Sequence, residues 1–304
     1  MPQRVAITGA SGLIGGALSA FLSNRGDEVL HVVRREPRTA SEIGWDPRHR
    51  RLDPAHLSGV TAVVNLAGAN VGGKRWTPAY KQEIFASRVD STHTIASALA
   101  DLGEPVRLVN ASAIGIYGSD RGEEVLTEDS EPGQGFLADV VRAWESATKP
   151  AADAGLPVAM ARTGLVMSPE GGAFERLLTL GRLGLLGPLG SGRQYWSWVT
   201  LRDVVRGYAH LIDREDLTGP VNLVGPAPAH QAEVARAVAT QLHRPSVVPA
   251  PGFALKAVLG EFADDVLGSA RVMPSALTAS GFTFEHDTLE QAAAWLVDQA
   301  GLAA

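Results

Sequence analysis

The sequence predicts an α/β protein: a Rossmann-like, doubly wound parallel sheet followed by a smaller, mostly helical C-terminal lobe. Three observations predict it. Apolar strand-like runs alternate with amphipathic helical stretches from Arg4 to about Ala161. The first strand runs into glycines at 9, 12 and 15, and a helical pattern follows at once. Beyond Arg162 the alternation weakens into Gly-rich turns and helices. Strands that alternate with helices need right-handed crossovers, and these build a parallel sheet covered on both faces.

Each element has its own signal. Val5-Ala6-Ile7-Thr8 is an apolar run, and Leu13, Ile14, Leu18, Phe21 and Leu22 then share one helical face up to Gly26. Residues 29–33 and 60–66 read as strands, the second apolar throughout because both its faces are covered. Thr77-Pro78 opens a long helix to Leu102, with Thr as N-cap and Pro in the first turn. A strand over 106–111, a loop over 113–135, a helix over 136–154 and a strand over 157–161 follow. Later helices are expected near 203–213, 229–242, 253–268 and 288–299, and 221–224 reads as a late strand rejoining the sheet. We therefore expect a dinucleotide-binding domain over 1–165. The smaller lobe spans 166–304 and includes a helical segment over about 250–300.

Composition narrows the function. The chain has 304 residues, 45% apolar and 20% charged, with a net charge of −6. An acidic chain has no general attraction to nucleic acid or an anionic membrane. The basic run Arg48-His49-Arg50-Arg51 reads as a solvated turn. With no cysteine, disulfides, thiolate chemistry and Cys-based zinc sites are excluded. The eight histidines show no metal-binding spacing. The absence of a signal-peptide pattern and of an apolar run near the roughly 20 residues of a bilayer span leads us to expect a cytoplasmic protein off the membrane.

The glycine pattern carries the first functional reading. Gly9 permits a tight turn, Gly12 lets backbone N–H groups approach a pyrophosphate, and Gly15 lets helix pack on strand. The helix N-terminus adds unpaired N–H groups and positive potential. The second strand ends in Arg34-Arg35, where NAD-selective folds carry an acid. Two guanidiniums suit the 2′-phosphate of NADP, while Glu36 keeps NAD open.

Thr8-Gly9-Ala10-Ser11-Gly12-Leu13-Ile14-Gly15 with Asn65-Leu66-Ala67-Gly68 resembles the short-chain dehydrogenase/reductase superfamily. Gly44-Trp45-Asp46, Arg75-Trp76-Thr77, Ser87-Arg88, the stretch Ala111 to Gly118, Leu126 to Ser130, Trp144-Glu145, Arg162-Thr163-Gly164, Gly171-Gly172 and Gly190 to Tyr195 narrow the likeness. They resemble an atypical, extended branch of epimerase-family proteins, named for nucleoside-diphosphate sugars and ending in a small domain of unknown function. The resemblance covers essentially the whole chain and implies NADP(H) binding between two lobes. It implies pyrophosphate contacts from Ser11, Gly12, Leu13 and Ile14, and 2′-phosphate contacts from Arg34 and Arg35. Leu66, Ala67 and Gly68 would line the adenosine and ribose path, and Glu83 and Arg88 would be further cofactor contacts. Relatives that pair through the helices at 78–102 and 136–154 leave monomer and homodimer both open.

The usual catalytic pair of the superfamily is missing. Tyr-x-x-x-Lys works because the cation lowers the phenol pKa. The chain has four tyrosines, and four residues after them stand Ile84, Arg121, Val199 and Ile212. The expected helix reads Phe136-Leu137-Ala138-Asp139-Val140-Val141 instead. Ser112 and Tyr117 remain as catalytic candidates, with Arg121 a conceivable cation for Tyr117 and Glu128 and Asp129 acids that could reach the cleft. In the second lobe, Arg193, Gln194 and Trp198 stand in Gly190 to Trp198 as substrate candidates, against the alternative that the aromatics are core. The reading is an NADP(H)-dependent oxidoreductase or epimerase-like protein for a small polar substrate. The alternative is a catalytically inactive NADP(H)-binding sensor or partner-binding module.

Overall fold

The computed structural model describes residues 2–302. Strand β1 (Arg4–Thr8) buries Val5, Ala6 and Ile7 completely. Helix α1 (Leu13–Arg25) ends at Gly26, whose left-handed backbone (φ 96°) turns its N–H back onto the carbonyls of Leu22 and Ser23. Next come β2 (Glu28–Val33), β3 (Glu42–Gly44) and β4 (Ala62–Asn65). Helix α2 (Pro78–Leu102) starts as predicted: the Thr77 hydroxyl accepts the Tyr80 N–H at 3.2 Å. Then follow β5 (Arg107–Ala113), a 3₁₀ turn over Ile114–Tyr117 and β6 (Val125–Leu126).

The helix expected over 136–154 is two helices, α3 (Phe136–Ser146) and α4 (Lys149–Asp153). Pro150 has no N–H for the Ser146 carbonyl and its ring crowds that turn, so the chain bends at Ala147-Thr148. Strand β7 (Val158–Thr163) completes the first alternating half. The rest comprises β8 (Leu165–Met167), α5 (Gly172–Arg182), β9 (Tyr195–Trp196), β10 (Trp198–Thr200), α6 (Leu201–Asp213), β11 (Gly219–Leu223), β12 (Ala229–His230) and α7 (Gln231–Gln241). It closes with α8 (Gly252–Leu259), α9 (Phe262–Leu267), β13 (Arg271–Val272), α10 (Ser275–Ala279) and α11 (Leu289–Gln299). The helix expected over 253–268 is thus also split, at Gly260 (φ +64°).

Seven strands pair in parallel in the order β11-β7-β5-β4-β1-β2-β3. The late strand therefore rejoins the sheet at its edge. Order reverses at β1, so loops leaving β1 and β4 part to opposite faces and open a crevice at their carboxyl ends. Among the described residues no helix is long and apolar enough to cross a membrane.

A buried polar chain lies directly beneath that crevice. The Thr8 hydroxyl donates to Asn65 Oδ1 at 2.7 Å and accepts the N–H groups of Leu66 and Ala67. Asn65 Nδ2 donates to Thr92 Oγ1 on α2 and to Asn110 Oδ1 on β5, at 2.9 and 2.7 Å. The Trp144 indole N–H on α3 reaches Thr92 at 2.9 Å. Thr8, Asn65, Thr92 and Asn110 are fully buried, so every partner is obligatory. Asn65→Ala leaves several of these groups unpaired. We expect a loss of about 3 kcal/mol in urea unfolding; a change under about 0.5 kcal/mol, the scale of a neutral surface substitution, would remove the chain's structural importance.

Candidate functional site

The phosphate loop is shaped by close backbone approach. Gly9 has φ +66°, and a Cβ there would stand 2.8 Å from the Leu66 carbonyl oxygen. A Cβ on Gly15 would stand 2.3 Å from the Gly9 oxygen. Neither position admits another residue without moving the loop. Gly12 is the N-cap of α1 with extended backbone; no side chain caps the helix and no acid occupies its first turn. Its first N–H groups therefore face the crevice. Ser11, Gly12 and Leu13 line an open depression of about 530 Å³ with Gly16, Ala17, Glu170 and Leu201. A nicotinamide dinucleotide fits this cradle: small residues where the pyrophosphate would approach, and unspent donors behind them.

The two strand-end arginines differ. Arg35 forks onto Glu42 at 2.5 and 2.8 Å, and Glu42 also accepts the Arg38 N–H. The Arg35 hydrogen bonds hold the Glu42 carboxyl down at about 2. Arg34 is exposed, with no carboxylate in reach among the described residues. The expected pair thus resolves into one free guanidinium and one already engaged.

Leu66 and Ala67 are half-buried and Gly68 is exposed at the end of β4. Against Gly68 lies Arg88, whose guanidinium carbon would be 3.3 Å from a Cβ there. Arg88 sits over the Trp144 ring at 5.0 Å and donates to the Ile84 carbonyl at 3.1 Å. Burial pushes it down to about 10, against the opposing pull of Tyr80, so it remains a cation at neutral pH. It has no carboxylate partner. Glu83 is exposed on the same helix and does not pair with it.

The catalytic candidates sit differently from expectation. Ser112 is 3% exposed, and its hydroxyl donates to Glu145 Oε1 at 2.6 Å. Glu145 holds Arg162 through both oxygens at 2.9 and 3.0 Å. Arg162 donates to the Tyr117 hydroxyl, which donates in turn to Asn222 Oδ1 at 2.7 Å. Tyr117 is fully buried, and burial raises its pKa despite the Arg162 cation. Neither hydroxyl is offered to the crevice. Strand alternation is the reason: Ser112 shares a register pair with Arg162, and both side chains meet Glu145 on α3. Arg121 is no cation for Tyr117 either, since its guanidinium forks onto Glu124 and touches only the Tyr117 carbonyl. Glu128 is spent on the N–H groups of Asn222 and Ala276, and Asp129 is exposed.

Of the three second-lobe candidates, Arg193 alone is exposed. Gln194 is 5% exposed and donates to the Leu189 carbonyl. Trp198 is 1% exposed within the lobe's core, its indole N–H without a partner. Helix α9 was not anticipated as part of the site. Its Phe262 ring packs 5.4 Å from that of Trp76 and against Gly72, while Gly268 abuts the Ser119 carbonyl. The helix therefore bridges the loops that follow β4 and β5, above the crevice. Asp265, on this helix, is raised from 3.8 to about 6, by burial first and by Asp264 second.

Comparison with known proteins places this architecture. The model of the NAD dependent epimerase/dehydratase family matches residues 5–240. The chain belongs to this family. A domain of unknown function matches residues 250–296 of the same epimerase/dehydratase-family chain, over the helical segment expected there. An epimerase family protein of Mycobacterium bovis is 44% identical over 298 residues, 98% of each chain. The human epimerase family protein SDR39U1, solved with NADPH, is 30% identical with a TM-score of 0.89, covering 97% of this chain and 99% of that one. A nucleoside-diphosphate sugar epimerase from Corynebacterium glutamicum is 36% identical with a TM-score of 0.82, covering all of this chain and 59% of that one. MoeE5, with UDP-glucose and NAD, shares the fold at 24% identity and a TM-score of 0.75. The superfamily resemblance, the Rossmann-like fold and a nicotinamide dinucleotide cofactor are thereby supported.

Asp265 has a measurable consequence for this epimerase-family fold. Its native pKa lies above that of the unfolded chain, so the native state binds the extra proton. Its contribution is present below about pH 4 and lost as pH rises through about 6. Asp265→Asn should therefore gain stability relative to the parent between pH 4.5 and 7.5, read from urea midpoints. A constant difference across that range would place the carboxyl in ordinary solvent.

Proposed function

We propose that the chain binds NADP(H) across the carboxyl ends of β1, β2 and β4 and uses it on a small polar substrate held beneath the second lobe. The observation that carries this reading is the open glycine cradle with the unpaired Arg34 at the end of β2. A 2′-phosphate is the group that would give that guanidinium a partner. Arg88 supports it further: a desolvated cation beside Gly68, with no acid, suits the anionic side of a dinucleotide. When bound, the nicotinamide would carry the hydride of an oxidoreductase or epimerase-type reaction. Around it, Ser11, Leu13 and Ile14 would present backbone donors, the Gly12 N–H being spent on the Gly9 carbonyl at 2.9 Å, and Leu66, Ala67 and Gly68 would bound the adenosine side. The human relative was solved with NADPH, which agrees with NADP. The Corynebacterium relative is named for nucleoside-diphosphate sugars, one class of polar substrate compatible with the reading.

A second reading, binding without turnover, is favoured by one specific observation. The superfamily's usual Tyr-x-x-x-Lys pair is absent, and Ser112 and Tyr117 both spend their hydroxyls inside the protein, so neither candidate offers a proton to the crevice.

Titration with NADPH and NADH, followed by fluorescence of the reduced nicotinamide, tests the cofactor reading. We expect NADPH to bind tightly and NADH weakly. Arg34→Ala should cost NADPH roughly 10- to 100-fold, the worth of a charge-assisted hydrogen bond, and leave NADH little changed. Equal affinity for the two nucleotides would overturn the 2′-phosphate assignment. Oxidation of bound NADPH by any member of a carbonyl panel separates enzyme from sensor; a panel that leaves the fluorescence untouched supports the second reading.

A further inference from the structure

Seven of the eight large apolar side chains left exposed among the described residues fall in two stretches, 180–185 and 247–258. Those stretches are neighbours. Leu186 bridges to Ser246 and Leu189 to Ala250, and the Val248 and Ala250 N–H groups donate to the Leu186 and Pro188 carbonyls at 3.0 and 2.9 Å. Helix α5 enters this two-chain ribbon and α8 leaves it. At their other ends both helices meet one turn of the first lobe. Arg176 of α5 reaches the Gly72 carbonyl at 3.5 Å, and Arg75 reaches the Ala257 carbonyl of α8 at 3.5 Å. Two helices, the ribbon and the 72–75 turn thus close a frame at the mouth of the cofactor crevice.

The inside of that frame is unfinished by the rules that govern helices. Helix α8 buries none of its residues, and Phe253 and Val258 stay 80% and 75% exposed. Along α5, Arg176, Leu180 and Leu183 recur at helical spacing, all exposed. Large apolar side chains exposed together on neighbouring elements mark a binding face, even though Phe253 and Val258 lie on different sides of α8. Its charge says what kind. Among the described residues Arg75 and Arg176 have no carboxylate partner, and neither has Lys74 beside them, which lies over the Tyr80 ring. Of the acids close by, Glu261 pairs with Lys81 at 2.5 Å and Asp264 with Lys256 at 2.9 Å, while Asp265 is half-buried on α9. Glu175 is exposed next to Arg176 and offsets part of the charge. An acidic chain has left uncompensated cations at the corner nearest the cofactor and apolar walls leading away from it.

We propose that this frame is the substrate pocket and that its ligand is a small amphipathic organic anion. The acid group sits at Arg75 and Arg176, and the apolar body lies along Leu180, Leu183, Phe253 and Val258. The inference rests on the cofactor reading only where it calls this ligand the substrate. It narrows a polar substrate to one whose polar part is a single anionic head. Charge complementarity selects the head, and burial of exposed methyl and phenyl surface supplies the drive.

Calorimetric titration with decanoate tests it, run on the protein with and without NADPH and with decyltrimethylammonium as the oppositely charged control. We expect one decanoate per chain and at least tenfold weaker binding of the cation. Arg75→Ala with Arg176→Ala, and separately Leu183→Ser with Val258→Ser, should each weaken decanoate at least tenfold while NADPH affinity stays within twofold. The four side chains are exposed, so the variants should fold. No heat with decanoate, several equivalents per chain, equal binding of the cation, or indifference to the substitutions would each overturn the proposal. A parent that binds one decanoate through these residues but no NADPH would keep the pocket and remove the cofactor reading.

Discussion

The site depends on one constraint: β1 and β4 must end within a hydrogen bond of each other while their loops part. Thr8 and Asn65 meet that requirement, and Gly9 passes the Leu66 carbonyl at a separation no side chain allows. The crevice is therefore not a gap between loosely placed loops. Its floor is a fully buried polar chain that continues through Thr92 and Asn110 to Trp144. Because Trp144 is also the ring beneath Arg88, the network that joins the strands also positions the buried cation. A low local dielectric strengthens each of these bonds and makes any unpaired member costly.

A second network explains the fate of the two catalytic candidates. Glu145 and Arg162 are an ion pair with side chains 13% and 8% exposed. Breaking such a pair typically costs 3–5 kcal/mol, because a buried charge is left behind. Ser112, Tyr117 and the Glu128 carbonyl supply its remaining hydrogen bonds. The pair links β5, α3 and β7, and through Asn222 it reaches the edge strand β11. Freeing either hydroxyl for chemistry would leave part of a buried charge unsatisfied. Any proton transfer in the crevice would fall to groups outside this network.

Much of this was legible in the sequence, and the exceptions at the candidate site share a cause, whereas the helix breaks at Pro150 and Gly260 carry local signals. The order of strands and helices, the Thr77 cap, the glycine cradle and the late strand all follow from local pattern. Asp203, in the first turn of α6, accepts the N–H groups of Glu285 and His286, far along the chain. What failed were assignments that depend on a partner distant in sequence. Ser112 was placed at the right strand end, but which way a strand residue points reverses with every step. Tyr117 was weighed with Arg121, four residues away, while its cation is Arg162, on another strand. Arg35 looked equivalent to Arg34 until Glu42 on β3 claimed it. The aromatics at 195–198 divide by the same alternation, and Trp198 turns inward. The pairing of β6 with β13 joins two-residue strands with no periodicity to read.

The 70–76 loop is one place where the first half of the chain meets the second, besides the packing of α6 on α1 and the pairing of β11 in the sheet, and that location bears on how the site would work. Trp76 stacks on Phe262, Lys81 pairs with Glu261, and Arg75 lies against Gly260, so α9 is anchored to the loop that leaves Gly68. Arg176 contacts the same loop from α5. Movement of the second lobe is then felt first at the segment bordering the cofactor path. The contacts that tie the lobes here are mostly single hydrogen bonds or exposed ion pairs, each worth little. The polar chain beneath them is buried and cooperative. The floor of the crevice should accordingly keep its shape while its roof adjusts, which is the division of labour a bound cofactor and an arriving second ligand require.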